Sequence, residues 1–146
     1  MGFDRKATTI WEGDLFNGSG KASLDTSGAA GPLDVAWPAR AGDDTSKTSP
    51  EELIAAAHAT CFSMALSGAL AKGGNPPERL EVSAVVTFST DGGAHIAKSH
   101  LTVTGTVPGM DPDAFAQAAN GAKEGCPVSK ALAGNIEITL DASLAS

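Results

Sequence analysis

The chain has no tyrosine, only two tryptophans and five phenylalanines. A core of stacked rings is excluded, so packing must rest on aliphatic side chains and close backbone approach. Positive charge is also short: ten Lys and Arg face seventeen Asp and Glu, a formal net charge of −7. Phosphate backbones would be repelled, so no nucleic-acid partner is expected. Cysteine occurs twice, at Cys61 and Cys126, 65 residues apart. That spacing excludes a CxxC motif and a metal-knuckle pattern. His95 and His100 fall at unlike parity on one predicted strand, so no metal site is suggested. No cofactor is expected.

Charge is absent altogether from Leu53 to Ala71, a run of 19 residues. The run touches the length of a membrane span. It is made mostly of Ala, Ser, Thr and Gly, contains His58 and sits between polar elements, so no membrane is expected. A helix apolar on every side is instead the mark of a fully buried central helix. Met1-Gly2-Phe3-Asp4-Arg5-Lys6 leads into no apolar run of the secretory kind. A cytoplasmic location is expected, where paired cysteines are more often catalytic than structural.

The length of 146 residues suits one domain, taken as 1–146. Ala7 to Glu12 and Gly20 to Asp25 read as an antiparallel pair around a turn at Gly13 to Gly18. Leu33 to Arg40 reads as a third strand, placed at an edge by Pro38. Ser49-Pro50-Glu51-Glu52 marks a helix start, with a cap, a proline at the first position and acids at the positive end of the dipole. The helix runs to about Lys72 and stops at Gly73-Gly74-Asn75-Pro76-Pro77.

Leu80 to Ser89 and His95 to Val107 alternate as strands about a turn at Asp91-Gly92-Gly93. Asp111-Pro112 opens a second helix, with Phe115, Ala118, Ala119 and Ala122 on one stripe. Cys126-Pro127 opens a short third helix, and Asn135 to Leu144 forms the last strand. Strands flank helices without a βαβ rhythm, so the expected class is α+β with an antiparallel sheet.

Two segments resemble a known family. Ser49-Pro50-Glu51-Glu52-Leu53-Ile54-Ala55-Ala56-Ala57-His58-Ala59-Thr60-Cys61-Phe62-Ser63-Met64-Ala65-Leu66 is similar to the signature of the OsmC/Ohr thiol peroxidases, which act on organic hydroperoxides. Ala122-Lys123-Glu124-Gly125-Cys126-Pro127-Val128-Ser129 resembles the second cysteine motif of that family. Trp11-Glu12-Gly13 and Ile136-Glu137-Ile138-Thr139-Leu140 add to the likeness, which spans nearly the whole chain in order. The resemblance implies an intertwined α+β homodimer, with antiparallel sheets packed around long central helices and active sites at the subunit interface. It matches Cys61 to the peroxidatic cysteine, Cys126 to the resolving cysteine, and Glu51 to a glutamate that holds the active-site arginine. Gly18-Ser19-Gly20-Lys21 carries no arginine where the Ohr branch has one. Arg40 and His58 resemble the OsmC branch. A lipoyl-type dithiol is the reductant the family suggests.

The residues impose their own conditions. Only a thiolate attacks a peroxide, and burial alone disfavours it. Cys61 therefore needs a cation, for which Arg40 and Lys21 are the candidates. A guanidinium can pair a thiolate and a carboxylate such as Glu51 at once. Glu51 and Cys61 are ten residues apart, roughly 15 Å along one helix axis. A two-fold antiparallel pairing of the helices near Ala56 would bring Glu51 of one subunit level with Cys61 of the other. His58 reads as a hydrogen-bonded packing residue. Phe62, Met64, Phe16 and Val128 are candidates to line an apolar mouth. The alternative on the same fold is a non-enzymatic dimeric binding protein or redox sensor.

Overall fold

The computed structural model describes residues 1–145. The chain forms two compact units, residues Met1–Pro50 and Glu51–Ser146.

In the first unit, β1 (Thr8–Glu12), β2 (Ser19–Ser23) and β3 (Leu33–Val35) form an antiparallel sheet in that order. Trp11 pairs with Gly20, and Gly20 with Val35. A Cβ at position 20 would stand 2.9 Å from the Trp11 ring and 3.0 Å from Val35 Cγ2, so the close approach of these side chains needs a glycine there. β3 is shorter than the sequence suggests. Trp37–Ala41 is a short helix, α1, and not the end of a strand. Pro38 lies in its first turn, where a missing N–H costs no helix hydrogen bond. The Trp37 ring meets Phe16 edge to face, with centroids 5.8 Å apart.

The second unit holds the long helix α2 (Pro50–Lys72), strands β4 (Arg79–Ser89) and β5 (His95–Thr106), helices α3 (Pro112–Gly125) and α4 (Pro127–Leu132), and strand β6 (Glu137–Leu144). The strands lie in the order β4-β5-β6. β4 and β5 pair antiparallel, with a bulge at Thr87/Phe88, but β5 and β6 pair parallel. The expectation of a purely antiparallel sheet is corrected here. Parallel neighbours need a long crossover, and α3 and α4 supply it between β5 and β6.

Alternation places Leu101, Val103 and Val107 on the helix-facing side of the sheet, with Leu80, Val82, Ala84, Ile138, Leu140 and Ala142 packed around them. Phe115, Ala119 and Ala122 of α3 join from above. Asp111 caps α3 by accepting from the Ala114 amide at 3.0 Å. From α2, His58, Phe62, Leu66 and Leu70 are buried at intervals of four residues.

Within one chain, one face of α2 stays open: Met64 is 71% exposed and Ala56, Ala57, Thr60 and Gly68 are exposed too. By length and composition α2 could cross a membrane, but its His58-to-Leu70 stripe is packed into this core.

Gly105 lies under the Phe115 ring, where a Cβ would come within 2.6 Å of it. Gly105→Ala should therefore destabilise the fold by about 1–3 kcal/mol through overpacking. Denaturant midpoints of the two proteins measure it, and an unchanged midpoint would show that the ring yields freely.

Candidate active site

Cys61 lies on α2 one turn beyond His58, beside the buried stripe and not within it, so its side chain stays half-buried. Cys126 is fully buried at the junction of α3 and α4. It is the residue between two helices: its amide donates to the Ala122 carbonyl at 2.9 Å and closes α3, while its sulfur accepts from the Ser129 amide and caps α4. Pro127 sets the first turn of α4 without needing a donor partner. Packing of α2 and α3 over one sheet brings the two thiols near enough to shift each other's acidity.

The two thiols are shifted in opposite directions. Burial raises the Cys61 thiol above its ordinary value, and its hydrogen bond to the Cys126 sulfur and the charge there raise it further. The Val128 amide works in the opposite direction. For Cys126, burial also pushes upward, but donation from the Cys61 thiol, from the Ser129 amide and hydroxyl, and from the Val128 amide outweighs it. Cys126 is held below the ordinary cysteine value. The Val128 amide thus serves both sulfurs.

Behind the thiols lies a buried polar chain. His58 Nδ1 is 2.7 Å from Ser99 Oγ, and His58 Nε2 is 2.8 Å from Ser129 Oγ. All three residues are at most 2% exposed. Burial lowers the His58 pKa, so the ring is neutral and both nitrogens are satisfied by serines. His58 is a hydrogen-bonded packing residue, as its place on α2 suggested. Its serine partners have no signal in the sequence, because Ser99 and Ser129 lie 41 and 71 residues further on.

The other expected residues take varied places. Glu51 is buried in the first turn of α2, at 6% exposure. Arg40 lies in the last turn of α1 in the first unit and is half-buried. Lys21 is exposed on β2 and pairs with Asp34 at 2.6 Å. Phe62 is wholly buried in the core beneath the sheet-facing side of α2, so it lines no mouth. Met64 is exposed and not a core residue, Phe16 is exposed, and Val128 is half-buried.

Titration of the reduced protein, followed by the ultraviolet absorbance of thiolate, should show two separated steps, one below and one above the ordinary cysteine value of about 8.5. Cys126→Ser should remove the lower step. A single step at the ordinary value would show that the two thiols do not shift each other's acidity.

The sequence and fold have relatives. The OsmC-like protein family matches residues 42–141. Peroxiredoxin OsmC of Escherichia coli (strain K12) is 40% identical over 147 aligned residues, covering 100% of both chains. Among solved structures, the organic hydroperoxide resistance protein OhrB of Bacillus subtilis is similar with a TM-score of 0.74 and 30% identity, covering 96% of this chain and 98% of its own. An organic hydroperoxide resistance protein from Elizabethkingia anophelis reaches a TM-score of 0.80 at 25% identity, covering 99% of each chain. With its two sheets, its long helix and its paired cysteines, this chain belongs to the OsmC-like protein family.

Proposed function

We propose that this protein is a thiol peroxidase that reduces organic hydroperoxides to alcohols in oxidative and osmotic stress defence. The observation that carries the reading is the proximity of Cys61 and Cys126, two free thiols that shift each other's acidity in opposite directions. In the proposed cycle the Cys61 thiolate attacks the distal peroxide oxygen. The O–O bond breaks, Cys61 becomes a sulfenic acid, and the alkoxide leaves as alcohol after taking a proton. The Cys126 thiolate then attacks the Cys61 sulfur, forming a disulfide and expelling hydroxide, which leaves as water. An external dithiol, of the lipoyl type by family likeness, restores both thiols by exchange. The reducing cytoplasm suits a resting state of two free thiols.

Within its own unit Cys61 has a raised pKa, so the cycle requires a cation at the moment of attack. We assign that role to Arg40, with Glu51 orienting the guanidinium and the remaining donors stabilising the leaving alkoxide. The whole chain acts as one OsmC-like domain in a homodimer, with active sites at the subunit interface. The exposed face of α2, with Ala56, Thr60, Met64 and Gly68, supports pairing of the long helices.

Stopped-flow oxidation by cumene hydroperoxide and by hydrogen peroxide tests the reading. The expected result is faster reaction with the organic peroxide and loss of both thiols into one Cys61–Cys126 bond, seen by mass spectrometry. Cys61→Ser should abolish consumption, and Arg40→Ala should slow it by about a hundredfold. Slow, unselective oxidation would hand the function to the binding or sensing alternative. The dimer has its own test. Mixed Glu51→Ala and Cys61→Ser chains should regain activity in heterodimers, and no recovery despite subunit exchange would sink the shared site.

A further inference from the structure

His58 takes no part in the steps above, yet it is a fully buried imidazole within one turn of Cys61. Its two hydrogen bonds join three elements: Ser99 on β5, His58 on α2 and Ser129 on α4. The chain continues one group further, because the Ser129 hydroxyl is among the donors that lower the Cys126 pKa. Ser129 stands three residues after Cys126, and its amide donates to that sulfur at 3.5 Å. One residue therefore offers the thiol two donors, and His58 holds one of them from behind.

Proton counting restricts the chain to two arrangements. A neutral imidazole carries one ring proton, and each serine hydroxyl carries one. In the first, Ser99 donates to His58 Nδ1, Nε2–H donates to Ser129 Oγ, and the Ser129 proton is left for the Cys126 sulfur. In the second, Nδ1–H donates to Ser99, Ser129 donates to Nε2, and Cys126 loses the hydroxyl donor. A negative sulfur selects the first, because a hydrogen bond to a charged acceptor is the stronger one. A disulfide sulfur carries no charge and removes that preference.

We propose that Ser99, His58 and Ser129 form a positioning relay that presents the Ser129 hydroxyl to the Cys126 sulfur and so readies the resolving thiolate for attack on oxidised Cys61. The proposal rests on the thiol-peroxidase reading and assigns His58 and Ser129 to its second step. The relay adds no atoms to that step. The Cys126 thiolate forms the S–S bond, the S–O bond of the sulfenic acid breaks, and hydroxide leaves with a solvent proton as water. The hydroxyl holds the thiolate charge and rotamer beforehand. His58 prevents the hydroxyl from turning away.

Single-turnover oxidation by cumene hydroperoxide, with a dimedone trap for sulfenic acid and mass spectrometry for the disulfide, separates the two steps. In Ser129→Ala the closure step should slow by about tenfold, the worth of one charge-assisted hydrogen bond, so that trapped Cys61 sulfenic acid accumulates. Ser129→Thr, which keeps the hydroxyl, should close at the native rate. Normal closure in Ser129→Ala, with Cys61 oxidation intact, would overturn the relay and leave the peroxidase standing. Failure of the native protein to form sulfenic acid would instead bring down the peroxidase reading itself. The native protein also gives a test free of any folding defect. Nitrogen chemical shifts should place the His58 proton on Nε2 in the reduced protein at a pH above the lower thiol titration step. A proton on Nδ1 in that state would refute the relay.

Discussion

The four-residue spacing of His58, Phe62, Leu66 and Leu70 is the constraint from which the site follows. These side chains form one stripe along α2, and the stripe presses onto the alternating face of β5 at Leu101, Val103 and Val107. Residues at i and i+4 stack on a helix, so the stripe fixes the rotation of α2 about its axis. Once that rotation is set, Cys61 stands beside the buried line and not within it. α3 shares the same core through Phe115, Ala119 and Ala122, and its end delivers Cys126 to the neighbouring position. The proximity of the sulfurs is thus a by-product of aliphatic packing that neither cysteine controls.

The stripe contains one polar member, and its presence has a cost that the neighbours remove. A buried imidazole without partners loses its hydration for nothing in return. Ser99 and Ser129 supply partners at both nitrogens, which ties β5, α2 and α4 together at a single residue. Cys126 is treated in the same way. Its sulfur caps α4 and receives donors from Ser129, Val128 and Cys61, so a group that burial would keep protonated is held as the more acidic of the pair. Few aromatic rings take part, and at one of them, Phe115, a glycine on the opposing strand makes room for the ring.

Much of this was legible in the residues. The limits of α2, α3 and α4 follow from Pro50, Pro112 and Pro127 at their starts and from the glycines beyond Lys72. The alternation of β4, β5 and β6 survives in their packing. Other features were not legible. A parallel partner for β5 has the same alternating pattern as an antiparallel one, and only the thirty residues between the strands, 107–136, hint at the crossover. α1 was hidden because proline before alanine fits an edge strand and a first helical turn equally well. The absence of charge along α2 left open which face packs within the chain, because small residues such as Ala56 and Gly68 carry little information about it. Phe62, adjacent to Cys61 in sequence, points into the core because neighbours on a helix are rotated by roughly 100 degrees.

The sequence by itself determined the chemistry available and the local elements. It supplied two thiols as the sole redox groups, a cation in Arg40, a carboxylate in Glu51 at a helix start, and the family signature around both cysteines. Those are local facts, governed by proline, glycine, capping and periodicity, and they act over a few residues. Only the tertiary structure decided that Cys61 and Cys126 lie near each other, that Cys126 is the more acidic, and that His58 reaches Ser99 and Ser129. The physical reason is that acidity and hydrogen bonding depend on distance and burial. Over separations of 41 to 71 residues, those are set by how helices seat on a sheet and by nothing written within either segment alone.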